Sequence, residues 1–480
     1  MKQIRTTDRK YISWYAVVLI GFTMVWGFPN VINGFALFGG IRAIVPWIAV
    51  FLLYMLPYSL MVAELGSVFS REGGGVSSWL LKTAGPMMAF YAGWTYWVTQ
   101  LPFIAQTPNN IIIAMSWIVY EKNDVNSMSV LFTQLVSLAV FAAALYLSSR
   151  GMSALKKLGS VAGGAMIVLS LLYIALVFAA PGLAGAKVNT IDWSWSAIKP
   201  EFDVTTITNF SVLVFSVVGM EEVAPYITEM RNPKKGFPKS MVWLVLIVMV
   251  CALLGTVAMG MMFNSSAIPA DMVTNGGFYA FRLLGEYYHI GNALLIIYSV
   301  CWIIYNLAVI VLSIDAPLRI LMRGTNSDYI PKPMFRQNRH GAYINGLKLV
   351  AAIVCPLIIL PVFGISGINN LVYWLVKVNS VTTPLVNLWV FAAYFLLKKR
   401  HENLELSTDY QLTKSRGFGM FLAVWCFAIT AASCIAGMYS TDTFELVMNI
   451  ATPVVLVGLG VIMPRLARRW NIRHGASGNG

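Results

Sequence analysis

The sequence predicts an all-α integral membrane protein of about twelve transmembrane helices, read as two blocks of five spans and a closing pair. Three observations predict it. The 480-residue chain is 58% hydrophobic and 11% charged, with a mean hydropathy of +0.70, whereas soluble domains carry about 25% charged residues. Apolar runs of roughly 20 residues, long enough to cross about 30 Å of hydrocarbon, recur along the whole length. Lysine and arginine collect in alternate loops, as the positive-inside rule expects of a multi-pass protein.

The elements follow in order. Residues 1–10 form a short basic tail that runs straight into the first span without a small-residue cleavage site, so the tail is expected to stay cytoplasmic. The first block, 11–200, holds spans at 11–38, 43–69, 87–120, 128–147 and 158–180. A loop with the tryptophan-rich "IDWSWSAIKPEF" separates it from the second block, 201–400, with spans at 207–228, 241–263, 290–322, 346–363 and 371–397. Two further spans, 418–438 and 444–463, occupy the segment 401–465, and 466–480 is a second tail. The clusters "MRNPKKGFPK", "KKRHEN" and "RLARRWNIR" then lie on one side, which places both termini in the cytoplasm and the protein in the cell's inner membrane.

Composition also excludes functions. His289, His340, His401 and His474 lie in or beside loops, so no histidine relay or histidine metal site is expected within the membrane, and no cofactor is implied. The five cysteines stand singly in apolar segments without CxxC spacing. The net charge of +14 sits in short loops rather than in a basic domain laced with aromatics, so nucleic acid is not an expected partner.

Two segments break the helical pattern at corresponding places. The first span contains "FTMVWGFP" and the sixth "FSVVGMEEVAP", each with a glycine before a proline. Proline lacks an amide hydrogen, so in an α-helix Pro29 would free the carbonyl of Val25 and Pro225 that of Glu221. A broken helix survives in lipid only where protein or a hydrated site satisfies the freed groups; a simple proline kink is the rival reading. At such a break, amides near Val25, Trp26 and Gly27 suit a substrate carboxylate. Carbonyls near Phe22, Thr23, Phe215 and Ser216, beside Gly219 and Met220, suit an ammonium group. Trp26 and Phe215, with Tyr96 or Gln100 from the third span, are candidate lids.

Charges at span depth are functional by default. Glu221 and Glu222 are adjacent, so a helix would turn them about 100° apart and give them different surroundings. Lys377 lies deep in the tenth span and needs a partner, either one of these glutamates or a substrate carboxylate. Asp315 and Arg319 are spaced to pair on one helix face. Glu64 is expected to reach interfacial water or loop cations.

The stretches "VWGFPNVINGFALFGG", "AELGSVFSREGGGVSSWLLKTAGP" and "GMEEVAPYITEMRNPKKGFPKSM" resemble the amino acid, polyamine and organocation transporters, especially the bacterial glutamate/γ-aminobutyrate antiporter branch. The resemblance implies an inverted repeat of five plus five helices with helices 1 and 6 broken, alternating access, and a site between those helices. It matches Gly219, Met220 and Glu221 to the family's Gly-x-Glu and gives Glu221 a proton-sensitive or gating role. Glu222 stands where a small residue is usual and Lys377 where an apolar one is usual. The expected function is secondary active transport of an amino acid or derived amine, as antiport or with protons, by a monomer or homodimer in the lipid bilayer. A channel or a sodium-coupled symporter of the same fold is the alternative. A membrane enzyme would need a nucleophile and base, or a metal constellation, and neither is legible.

Overall fold

The computed structural model describes residues 11–201, 203–364, 385–400 and 410–475. The regular structure of these residues is helical, apart from two isolated bridges, Ile12 with Met230 and Gln337 with Tyr343. Among the described residues, nine helices are long and apolar enough to cross a membrane, and ten spans result if a bent pair at the start counts as one. Long apolar segments force this outcome, because a helix satisfies every backbone group within the segment itself.

That bent pair is α1, Trp14–Val25, and α2, Pro29–Leu37, which meet at 41°. Pro29 occupies the first position of α2, where its missing amide costs nothing. The second span passes through a π turn at Phe51–Met55 and ends in α3, Leu56–Val68. The third predicted span is two helices, α4, Pro86–Gln106, and α5, Pro108–Tyr120. Pro108 cannot donate to a continuing α4 ladder, which explains the division.

α6, Met152–Leu183, lies against α1 with almost no gap. A Cβ on Gly163 would overlap the carbonyl oxygen of Leu19, so the approach requires glycine. The sixth span starts as α7, Val204–Phe215, turns through Ser216–Gly219, and continues as a 3-10 segment, Met220–Glu229. Gly219 holds φ at +101°, a conformation that disfavours other residues. The expectation for Pro225 changes accordingly: in a 3-10 ladder the carbonyl it fails to serve lies three residues back, at Glu222 rather than Glu221.

α8, Pro233–Met262, is followed by α9, Met272–Tyr287, a helix absent from the expected spans. α9 packs on the next span, α10, Ala293–Arg323. Phe281 of α9 stacks on Tyr298 of α10 with centroids 4.8 Å apart. Ile344–Ile359, α11 at Leu388–Lys399 and Arg416–Met438 follow. The last span, Thr443–Leu459, leads into α12, Met463–Gly475, so the expected closing tail begins as helix. The tenth predicted span is described only from residue 385, and Lys377 and His401 lie outside the described residues.

Candidate functional site

The two interrupted spans touch at their breaks. The side-chain amide of Asn30, second residue of α2, donates to the carbonyl of Val25 at 3.4 Å and to that of Ser216 at 3.1 Å. One side chain thus serves the carbonyl that Pro29 leaves without its helical donor and fastens the first break to the second. Thr23 reaches from α1 to the Gly159 carbonyl of α6 at 2.9 Å. The missing Cβ of Gly219 leaves room for the Met24 carbonyl, which would stand 3.3 Å from it.

Beside these breaks lies a cavity of about 190 Å³, lined on its other sides by α4, α5 and α10. At about 30 Å³ per water it holds roughly six, a space for a metabolite rather than a drug-sized ligand. Six of the sequence-nominated residues line it: Thr23, Val25, Phe215, Ser216, Gly219 and Glu222. Gln100 of α4 does so as well.

Other nominated residues stand behind the wall. The Phe22 carbonyl accepts the Trp26 amide at 2.8 Å, so it is occupied within the protein. Trp26 is fully buried edge-on against Trp47, with centroids 5.4 Å apart, and does not line the cavity. Gly27 is close-packed, since a Cβ there would meet the Tyr305 hydroxyl at 3.1 Å. Met220 is buried away from the lining.

The adjacent glutamates separate. Glu221 is 1% exposed and accepts hydrogen bonds from Tyr58 of α3 and from Tyr96 of α4, the latter at 2.7 Å. The Gly219 amide donates to the same Tyr58 oxygen at 3.4 Å. Tyr96 thus holds Glu221 and does not line the cavity. Glu222 is 3% exposed and lines the cavity. Gln100 Nε2 donates to its Oε1 at 3.1 Å, and its Oε2 has no hydrogen-bond partner among the described residues.

Several lining residues escaped the sequence reading. Asn110 of α5 donates to Asn306 of α10 at 3.1 Å, and Asn306 donates to the Trp302 carbonyl at 2.8 Å. The Trp302 and Tyr305 rings stack 5.1 Å apart along the same side. The signal was available: Asn30, Asn110 and Asn306 are amides inside apolar segments, but attention to full charges passes over them.

Two further buried charge pairs occur among the described residues. Asp315 and Arg319 meet at 2.5 Å, as their spacing predicts, and Tyr226 donates to Asp315 at 3.1 Å. Glu64 meets a cation of the expected loop cluster, although in a buried setting: it is 1% exposed, bonded to Lys398 of α11 at 2.6 Å, and receives Tyr394 at 2.7 Å and the Leu412 amide at 3.0 Å. Burial without water demands these partners. Among the described residues, no group of three or more metal-ligating side chains occurs.

The sequence profile of the amino acid permeases matches residues 12–462. The chain belongs to the amino acid permease family. It is a transporter by descent and not an enzyme, and the resemblance to the amino acid, polyamine and organocation transporters holds over nearly its full length. This permease is 40% identical over 474 residues to the aspartate/glutamate permease AcaP of Lactococcus lactis subsp. cremoris, covering 96% of each chain. It is 24% identical over 430 residues to the glutamate/gamma-aminobutyrate antiporter of Lactococcus lactis subsp. lactis, covering 85% of this chain and 81% of that one. A probable agmatine/putrescine antiporter of the same organism is 25% identical over 201 residues, 41% of this chain and 40% of its own.

Proposed function

We propose that this permease carries an amino acid across the cytoplasmic (inner) membrane by alternating access, holding it in the cavity between the two breaks. The observation that carries the reading is the coincidence of that cavity with both interruptions, at residues 26–28 and 216–219. Irregular backbone at membrane depth lies against a polar cavity, the setting in which it is tolerated.

The full arrangement is twelve spans: an inverted pair of five-helix units over 11–200 and 201–400, and two added helices in 401–465. Both termini face the cytoplasm. Helices 1 and 6 move with the substrate, and the Glu221 clamp to Tyr58 and Tyr96 ties the second break to α3 and α4 on one side of the site. Exchange or proton coupling is the mode. Aspartate and glutamate are the first substrates to try, because the relative that shares 40% identity is named for them.

Proteoliposomes test this. Labelled glutamate should show saturable counterflow, competed by a subset of unlabelled amino acids. Unsaturable, voltage-driven current without counterflow would replace the carrier reading with a channel, and strict dependence on external sodium would replace the coupling mode.

A further inference from the structure

We propose that Glu222 is the ammonium receptor of this site, a specificity-determining carboxylate that selects substrates bearing a free amine. The inference rests on the transport reading above and assigns a chemical role within its cavity.

The setting of Glu222 suits a cationic group of the ligand. The side chain is 3% exposed and forms part of the cavity wall. Its Oε1 is held by Gln100, which fixes the carboxyl group while leaving Oε2 unpartnered among the described residues. Among the described lining residues, no other fully buried side-chain nitrogen or oxygen lacks a partner. A buried carboxylate oxygen without a donor is costly, whereas one that meets an ammonium forms a strong charge-assisted hydrogen bond.

The described lining residues supply no such cation themselves. Among the described lining residues Glu222 is the sole carboxylate, and none is lysine, arginine or histidine. The other residues that line the cavity with it are amides, hydroxyls, rings and apolar side chains. Trp302 and Tyr305 line the same cavity, and aromatic faces attract a desolvated ammonium. Asn110 and Asn306 are bonded to each other and leave the charge recognition to Glu222. A ligand therefore brings its own positive charge. Primary amines with or without carboxylates fit, and a dicarboxylic acid lacking an amine meets an uncompensated carboxylate.

The experiment uses wild type, Glu222→Gln and Glu222→Asp in proteoliposomes, with labelled glutamate and three competitors: glutamate, γ-aminobutyrate and glutarate. In Glu222→Gln the half-saturating concentration for glutamate should rise about tenfold or more. The ratio of glutarate to glutamate half-inhibition should fall by at least a similar factor, because the amine loses its partner and the amine-free acid loses its repulsion. Glu222→Asp should lie between. If Glu222→Gln does not transport, ligand-induced thermal stabilisation of the purified variant reads the same ratio.

An unchanged ratio, with all three ligands weakened alike or none affected, overturns the assignment and makes Glu222 structural. Lys377→Met reproducing the full Glu222→Gln profile also overturns it, since the carboxylate then belongs to an internal ion pair. Failure of the transport reading is separate: a wild type that neither exchanges nor is stabilised by any amine rejects that reading itself.

Discussion

Glu221 and Glu222 are neighbours in sequence and share almost no surroundings. Their separation was expected, yet which one would face the cavity was not legible, because the turn at 216–219 and the 3-10 winding after it reset the helical phase. Family likeness favoured Glu221 as the responsive residue, whereas geometry puts Glu222 on the cavity. Two signatures follow. Glu222→Gln should raise the half-saturating substrate concentration, while Glu221→Gln should mainly change the exchange rate by loosening the Tyr58 and Tyr96 clamp; concentration series at fixed internal substrate separate them, and reversed signatures would reject the division of roles. The Asp315 and Arg319 pair is the residue-scale claim about stability. Arg319→Met leaves a buried carboxylate and should cost about 3–5 kcal/mol, whereas Asp315→Leu with Arg319→Met should recover much of it. Thermal melting in detergent checks this, and a double variant no better than the single would contradict it.

At the scale of elements, glycine and proline carried most of the legible information. Pro29 marked the first break, and Gly219 the second, because each fixes a backbone geometry that ordinary residues do not share. What those breaks do with their carbonyls was hidden, since Asn30 satisfies two of them through space. Asn30→Leu should therefore cost about 1–3 kcal/mol through the unsatisfied acceptors and abolish exchange; a fully active, fully stable variant would remove Asn30 as the link. α9 was missed for a different reason. It carries Arg282 and Glu286 as an exposed ion pair close to the buried Phe278 and Phe281, so a hydropathy window averages it to a loop. The contact of α1 with α6 gives a further test: Gly163→Val should lower the melting temperature and the yield, whereas Gly164→Ala, with open space at its Cβ, should leave both near wild type.

For the whole molecule, composition alone specified an all-helical membrane protein, because burial in lipid leaves a long apolar chain few alternatives. The cavity was legible only as a meeting of two breaks; its walls on α4, α5 and α10 come from residues distant in sequence, which no local pattern joins. The central claim is that substrate occupies this cavity. Its most direct test is glutamate counterflow in proteoliposomes of wild type and Ser216→Trp, a substitution that fills the space between the breaks, with melting and monodispersity as folding controls. Saturable counterflow in wild type and its loss in a folded Ser216→Trp is the predicted result, and a Ser216→Trp variant that exchanges glutamate with unchanged half-saturation would contradict it.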